Sequence, residues 1–235
     1  MSASSGARCR LLIPAAGLGR RMGRDGPKAL IEVGGEPLLV QTLRRFQPLG
    51  LVESAIIVVS PGHEPAFESA LHASFPGARF SFVQGGAERQ ISVANALACL
   101  GADADIVVIH DAARPFVSEE SIRASISAAR ECGAATVAIP SVDTILQGDS
   151  EGYLIDTPDR RFLWMCQTPQ TFQVSVIRAA HEAARREGFL GTDDASLVRR
   201  MGGKVKLVMG SPVNFKVTTP ADLIMAEYVL KEGLA

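Results

Sequence analysis

Hydrophobic residues along this 235-residue chain gather in short β-branched runs, separated by longer stretches with helical spacing. The runs are CRLLIP, SAIIVVS, RFSFVQGG, ADIVVIHD, AATVAIP and, late in the chain, KVKLVMG. Between them, PLLVQTLRRFQPL, HEPAFESALHASF, ERQISVANALACL and EESIRASISAARECG carry the apolar stripe of an amphipathic helix. Alternation of this kind predicts an α/β fold, with a mostly parallel sheet and helices on both faces. Near-continuous apolar strands such as Ile106 to Ile109 agree, because parallel strands are buried on both sides.

The alternation breaks between Ser141 and Gln170. There, polar and apolar residues alternate around a Gly-Asp-Ser-Glu-Gly turn, the pattern of a β-hairpin. A hairpin inserted into an α/β run needs something to pack against, and a partner subunit is a natural candidate. Helices are expected at about 173–187 and 193–201, then a strand, then a helix from about 220. TTPADL starts that last helix well: Thr219 as N-cap, Pro220 at the first position, Asp222 three residues after the cap. With no repeat, low-complexity tract or linker, residues 1–235 read as a single domain with a β-arm at about 141–160.

Composition narrows the function classes. Apolar residues make up 47% and charged residues 21%, and the net charge is -1, so a general nucleic-acid binder with a basic face is not expected. Cys9, Cys99, Cys132 and Cys166 are far apart and form no CxxC pair; they read as reduced thiols, mostly in the core. The opening MSASSGA lacks an apolar leader, and no apolar run reaches the roughly 18 residues of a membrane span. A cytoplasmic protein that binds no membrane is expected.

Against that near-neutral background, LIPAAGLGRRMGRDGPKAL concentrates Arg20, Arg21, Arg24 and Lys28 among glycines, directly after the first strand. Clustered like charges repel, so an anion belongs among them. The loop leaves the sheet at its C-terminal edge, where open α/β folds bind ligands. A Walker A loop fails, because Pro27 separates Gly26 from Lys28 and Ala29 follows. A dinucleotide fingerprint fails too: Met22 stands where the third glycine belongs, and the second strand ends VVSPG without an acid. A loop wrapping a nucleoside triphosphate remains, with cations to stabilise charge that builds during nucleotidyl transfer. HDAARPFVS leaves a strand at the same edge. Its Asp111 could orient magnesium or a substrate hydroxyl, and Arg114 suits a phosphate. In QGGAERQISV, Gly85 and Gly86 permit close backbone approach, and Ser92 could contact a base or ribose. Arg160, Thr168, Thr192 and Lys216 could hold a second phosphate and a polyol, although Thr192 also suits an N-cap. His63, His72 and His181 are scattered, so His110-Asp111 is not expected to belong to a histidine metal site.

PAAGLGRRMGRDGPKAL, GGAERQISV, HDAARPFVS, DRRFLWMCQTPQTF, GTDDAS and NFKVTTPADL occur in the order and spacing of one family. The chain closely resembles the 2-C-methyl-D-erythritol 4-phosphate cytidylyltransferases, from about Cys9 to Leu230. The resemblance implies a Rossmann-like fold of the nucleotidyltransferase and glycosyltransferase-A kind, with an extended β-hairpin arm. It implies the joining of CTP and methylerythritol phosphate with release of pyrophosphate, and Mg²⁺ carried mainly by the CTP triphosphate. Arg21 and Lys28 would be the catalytic cations. Ala15, Ala16, Gly17, Gly86 and Ser92 would line the CTP site. Asp111, Arg114, Thr144, Arg160, Thr168, Thr192 and Lys216 would hold the polyol phosphate, Thr144 and Arg160 from the arm. In this family the arm crosses to a partner subunit, so a homodimer is implied. Two positions depart from the family pattern: Ala87 replaces a frequent acid after the glycines, and GSPVNFKV lacks an acid before Asn214. The alternatives are a ribitol 5-phosphate cytidylyltransferase and a nucleotide-binding regulator without catalysis.

Overall fold

The computed structural model describes residues 8–19, 22 and 26–235. Strand β1 is Cys9–Pro14; β2 (Glu32–Val33) and β3 (Glu36–Pro37) form a small ribbon leading into helix α1, Leu38–Arg44. Then come β4 (Ile56–Val59), α2 (Glu64–Ser74), β5 (Ser81–Gln84), α3 (Arg89–Ala98), β6 (Ile106–Ile109), α4 (Glu119–Cys132) and β7 (Ala134–Pro140). Strands β8 (Gln147–Gly148) and β9 (Leu154–Asp156) form a hairpin. The chain ends with β10 (Trp164–Gln173), α5 (Val174–Arg186), α6 (Asp194–Arg200), β11 (Lys206–Met209) and α7 (Pro220–Lys231).

Seven strands make one sheet in the order β11-β7-β10-β6-β1-β4-β5. Strand β10 runs antiparallel to both its neighbours, β6 and β7, while the other pairs are parallel. Side chains alternate across each strand, which builds a core on either face. Leu11, Ile13, Ile57 and Val108 pack beneath α1, α2 and α4, whereas Leu12, Ile56, Val107 and Ile109 pack beneath α3, α5 and α6. A third cluster, with Ile31, Val33, Phe116 and Val217, seats α7 over the β2–β3 ribbon. Thr219 caps α7 as expected, accepting from Asp222 N–H, while the Asp222 carboxylate accepts from the Thr219 N–H.

The expected strands and helices are present, with one substantial correction. The hairpin expected across Ser141–Gln170 is confined to β8 and β9, and the segment after it is strand β10 of the main sheet. Its middle is both polar and buried, as at Gln167, Thr168, Gln170 and Thr171, so hydropathy gave no strand signal. Each of these side chains carries its own hydrogen bonds instead: Gln167 to Ser211, Thr168 to His110, Gln170 to Asp193 and Thr171 to Ser125. A second correction concerns the thiols: Cys99, Cys132 and Cys166 are exposed and Cys9 is half-buried, so none of them is a core residue. No helix among the described residues is long and apolar enough to cross a membrane.

Candidate active site

The loops after β1, β5 and β6 meet over the C-terminal edge of the sheet and enclose a cleft. Its wall includes Ala15, Ala16, Gly17, Lys28, Gly86, Ser92, Asp111 and Lys216. Sequence segments up to about 200 residues apart thus converge on the edge where the parallel strands point their C-terminal ends.

The glycine-rich loop is pinned at its ends. Gly19 N–H donates to the Gly26 carbonyl at 2.9 Å, and Lys28 N–H to the Gly17 carbonyl at 3.0 Å. Met22 is buried in the third core cluster and anchors the middle. Gly26 has a φ of +138°, a conformation that residues with a Cβ rarely adopt. This anchoring sets Lys28 at the cleft wall, in a short helical turn over residues 28–30. Arg20, Arg21 and Arg24 lie outside the described residues.

The second loop presses against the first. A Cβ on Gly85 would sit 2.5 Å from that of Ala16, so glycine is required by the close approach of the two loops. Ser92 is nearly fully buried; its hydroxyl accepts from Gly86 N–H at 3.1 Å and donates to the Glu88 carbonyl at 3.0 Å. Its structural work is therefore to hold the diglycine turn that lines the cleft.

On the same cleft wall, Asp111 is the centre of a cationic cluster. Lys216 Nζ donates to its Oδ2 at 2.8 Å, Arg89 Nε approaches its Oδ1 at 3.4 Å, and Arg114 Nε lies 3.8 Å from Oδ2. Burial by itself would raise the Asp111 pKa; Arg89, Lys216 and Arg114 outweigh it and hold the carboxyl well below the usual range. Asp111 is therefore ionised at neutral pH; Lys216, Arg89 and Arg114 surround it, and with Asp194 on the far side of Arg89 the cluster sets three cations against two carboxylates, one net positive charge.

Behind Asp111, a chain of hydrogen bonds fixes its backbone. His110 Nε2 lies 3.0 Å from the Arg114 carbonyl, which can only accept, so Nε2 carries the proton. His110 Nδ1 therefore accepts from the Thr168 hydroxyl at 2.9 Å, and that oxygen accepts from Asp111 N–H at 3.1 Å. His110 is fully buried, and desolvation pushes its pKa down to about 4, so the ring stays neutral. Arg114 is braced by the carbonyls of Asn214 at 2.7 Å and Cys166 at 3.3 Å.

Asp111 and Lys216 thus come together with Lys28 and the two glycine loops, as the sequence suggested. Thr168 and Arg114 stand just behind, engaged with the frame that holds Asp111. Thr192 is exposed in the turn before α6, and the N-cap of that helix is Asp193, whose carboxylate accepts from Ser196 N–H at 3.0 Å. Thr144 and Arg160 are exposed at the base of the hairpin arm, where Arg160 donates to the Val142 carbonyl at 3.0 Å; neither forms part of the cleft wall. Sequence reasoning missed Arg89, which lines the cleft, and the buried Asp194 that holds it. A signal existed: Arg89 opens helix α3, where the positive end of the helix dipole disfavours a cation unless an acid faces it.

Among the described residues, no group of three or more histidines, cysteines or acids could enclose a metal ion. Asp111 is an acid of the cleft wall, but its oxygens already face Lys216, Arg89 and Arg114.

The chain is similar to known proteins over nearly its whole length. The family model for 2-C-methyl-D-erythritol 4-phosphate cytidylyltransferase matches residues 9–232. A relative of that name from Caldanaerobacter subterraneus is 44% identical over 94% of this chain and 98% of its own length. One from Geobacter metallireducens is 45% identical over 95% and 97%. Among solved structures, 4-diphosphocytidyl-2C-methyl-D-erythritol synthase from Anaerococcus prevotii superposes with a TM-score of 0.84, at 32% identity and 96% coverage of both chains. The 2-C-methyl-D-erythritol 4-phosphate cytidylyltransferase from Thermus thermophilus gives 0.78, at 38% identity, covering 94% of this chain and 98% of that one.

Proposed function

Because the chain belongs to the 2-C-methyl-D-erythritol 4-phosphate cytidylyltransferase family, we propose that its cleft joins CTP to methylerythritol 4-phosphate, giving 4-diphosphocytidyl-2-C-methyl-D-erythritol and pyrophosphate. The observation that carries this reading is the gathering of cations on one cleft wall, Lys28 on the glycine-rich loop and Lys216 and Arg89 around Asp111, with Arg114 just behind. The glycine-rich loop suits a triphosphate; the group around Asp111 suits a phosphate monoester beside a polyol.

The reaction is an in-line displacement. A phosphate oxygen of methylerythritol phosphate attacks the α-phosphorus of CTP, forming a new P–O bond as the bond to the β-phosphate oxygen breaks. The attacking group is already ionised at neutral pH, so no protein nucleophile or general base is needed. The barrier lies in bringing two polyanions together, and fixed cations lower it by offsetting charge on the α-phosphate and the departing pyrophosphate. Lys28 would serve there, with Arg21 of the same loop. The backbone at Ala15, Ala16, Gly17 and Gly86 lies open to the nucleotide, and Ser92 keeps the diglycine turn in place. Asp111 would accept from polyol hydroxyls while Lys216 and Arg114 face the substrate phosphate. Mg²⁺ would enter as part of the substrate, bound to the CTP triphosphate. Thr144 and Arg160 would complete the polyol site from the arm of a second subunit in a cytoplasmic homodimer.

Pyrophosphate release tests the reaction, with Mg²⁺ and CTP supplied alongside either methylerythritol 4-phosphate or ribitol 5-phosphate, and ATP, GTP and UTP as controls. Turnover confined to CTP and methylerythritol phosphate is expected. Turnover with ribitol phosphate would overturn the reading of the polyol pocket, and no turnover with any pair would overturn catalysis.

A further inference from the structure

Asp194 opens helix α6 with its side chain only 1% exposed, beyond the wall of the cleft. A buried carboxylate is costly unless every oxygen is engaged. Here both are: Oδ2 accepts from Arg89 Nη1 at 2.7 Å, and Oδ1 pairs with His181 Nε2 at 3.1 Å. His181 lies on α5 and is itself buried. The Asp194 backbone is held too, its N–H donating to Gln170 Oε1 at 2.9 Å. Arg89 then reaches from this fixed point to Asp111, its Nη1 on one carboxylate and its Nε facing the other.

We propose that His181 and Asp194 are positioning residues that hold Arg89 against Asp111 and so set the polyol-phosphate side of the cleft. The argument is geometric. Arg89 is a long side chain with rotamer freedom to lose, at a helix start where the dipole disfavours it. Its planar guanidinium presents donors in fixed directions, and anchoring one of them on Asp194 aims another at Asp111. With Asp194 neutral, Arg89 keeps its charge but loses its anchor, and Asp111 is then oriented by Lys216 and Arg114 alone. Among the described cleft residues, Asp194 bonds to Arg89 alone, so its influence should fall on the substrate that Asp111 faces and leave the nucleotide side intact.

The inference rests on the proposed reaction, so turnover by the unsubstituted protein is the first control. Asp194→Asn preserves shape and removes the charge. A rise of about tenfold or more in KM for methylerythritol phosphate is expected, with KM for CTP unchanged within about twofold. His181→Gln, which can still donate from the Nε2 position, should keep near-parent KM values, whereas His181→Leu should shift KM in the direction of Asp194→Asn. If Asp194→Asn does not fold, Arg89→Lys gives the same readout, because a single ammonium cannot reproduce the fixed two-way geometry. A folded Asp194→Asn or Arg89→Lys protein with both KM values unchanged, or with both raised equally, overturns the inference while leaving the reaction standing. Absence of turnover by the unsubstituted protein overturns the reaction and the inference together.

Discussion

At the scale of single residues, Lys28 and Asp111 line the same cleft and carry opposite charges. Lys28 follows a loop whose described ends are joined by the Gly19–Gly26 and Lys28–Gly17 backbone hydrogen bonds, and it supplies a cation to the cleft wall. Lys28→Ala is expected to lower kcat by a hundred- to a thousandfold, the usual cost of one donor aimed at developing charge, about 2.7–4 kcal/mol of barrier. Steady-state kinetics on a protein with a parent-like circular dichroism spectrum checks this, and a loss below tenfold would refute the role. Asp111 is different because three cations depend on it. Asp111→Asn leaves them facing one another, and should cost about 3 kcal/mol in unfolding free energy, the low end for a broken buried ion pair, since Lys216 remains partly hydrated. Urea denaturation at neutral pH measures it; a change below about 1 kcal/mol would show that the cluster does not depend on its acid. Lys28 and Asp111 could be read in the sequence because each follows a strand and sits among residues with an obvious affinity for phosphate. Arg89 could not be read so directly. Its role depends on Asp194, 105 positions away, and only the fold brings them together.

The elements explain both what was legible and what was not. Parallel strands β1, β4 and β6 announce themselves because burial on both faces demands continuous apolar side chains. The middle of strand β10, from Gln167 to Phe172, is equally buried but meets that demand with hydrogen bonds among Gln167, Thr168, Gln170 and Thr171 and their neighbours, and Pro169 further masks it. The pairing of β10 with β6 brings Thr168 to His110, and this contact has a consequence for acid stability. His110 titrates near its ordinary 6.5 when unfolded but near 4 when buried. As pH falls below about 6.5, the unfolded chain takes up a proton that the folded protein refuses. The stability from this site is therefore complete above that pH and is lost progressively down to about 4, a total of order 3 kcal/mol. His110→Gln retains a donor to the Arg114 carbonyl but cannot titrate. Its unfolding free energy, lower than the parent's at pH 8, should fall less steeply between pH 6.5 and 4.5. Equal slopes in urea titrations of the two proteins would remove His110 as the source.

For the whole molecule, the arm is the outlier. The sheet and its helices bury most of their large apolar side chains, with Ile224, Met225 and Tyr228 on α7 and Met209 on β11 among the exposed exceptions, whereas the short segment around β8 and β9 exposes Val142, Leu146, Tyr153, Leu154 and Phe162, the last at 77%. An apolar surface that extended and that removed from its own core is the mark of an interaction face. The same segment carries Thr144 and Arg160, whose chemistry suits a polyol phosphate but which stand apart from the cleft wall of their own chain. Both facts have one explanation if the arm lies against a second copy and delivers these side chains to that copy's cleft. Leu146→Glu with Leu154→Glu should then convert a species of twice the chain mass into one of single mass in sedimentation equilibrium. The core would be untouched, because neither side chain is packed in it. Turnover should fall by at least tenfold, chiefly through KM for methylerythritol phosphate, since the nucleotide side is built within one chain. Arg160→Ala alone should keep the double mass and reproduce the rise in KM, which separates loss of assembly from loss of the delivered side chain. A parent protein of single mass with full turnover would refute the shared site, and the polyol phosphate would then have to be held by Asp111, Lys216, Arg114 and Arg89 without help from the arm.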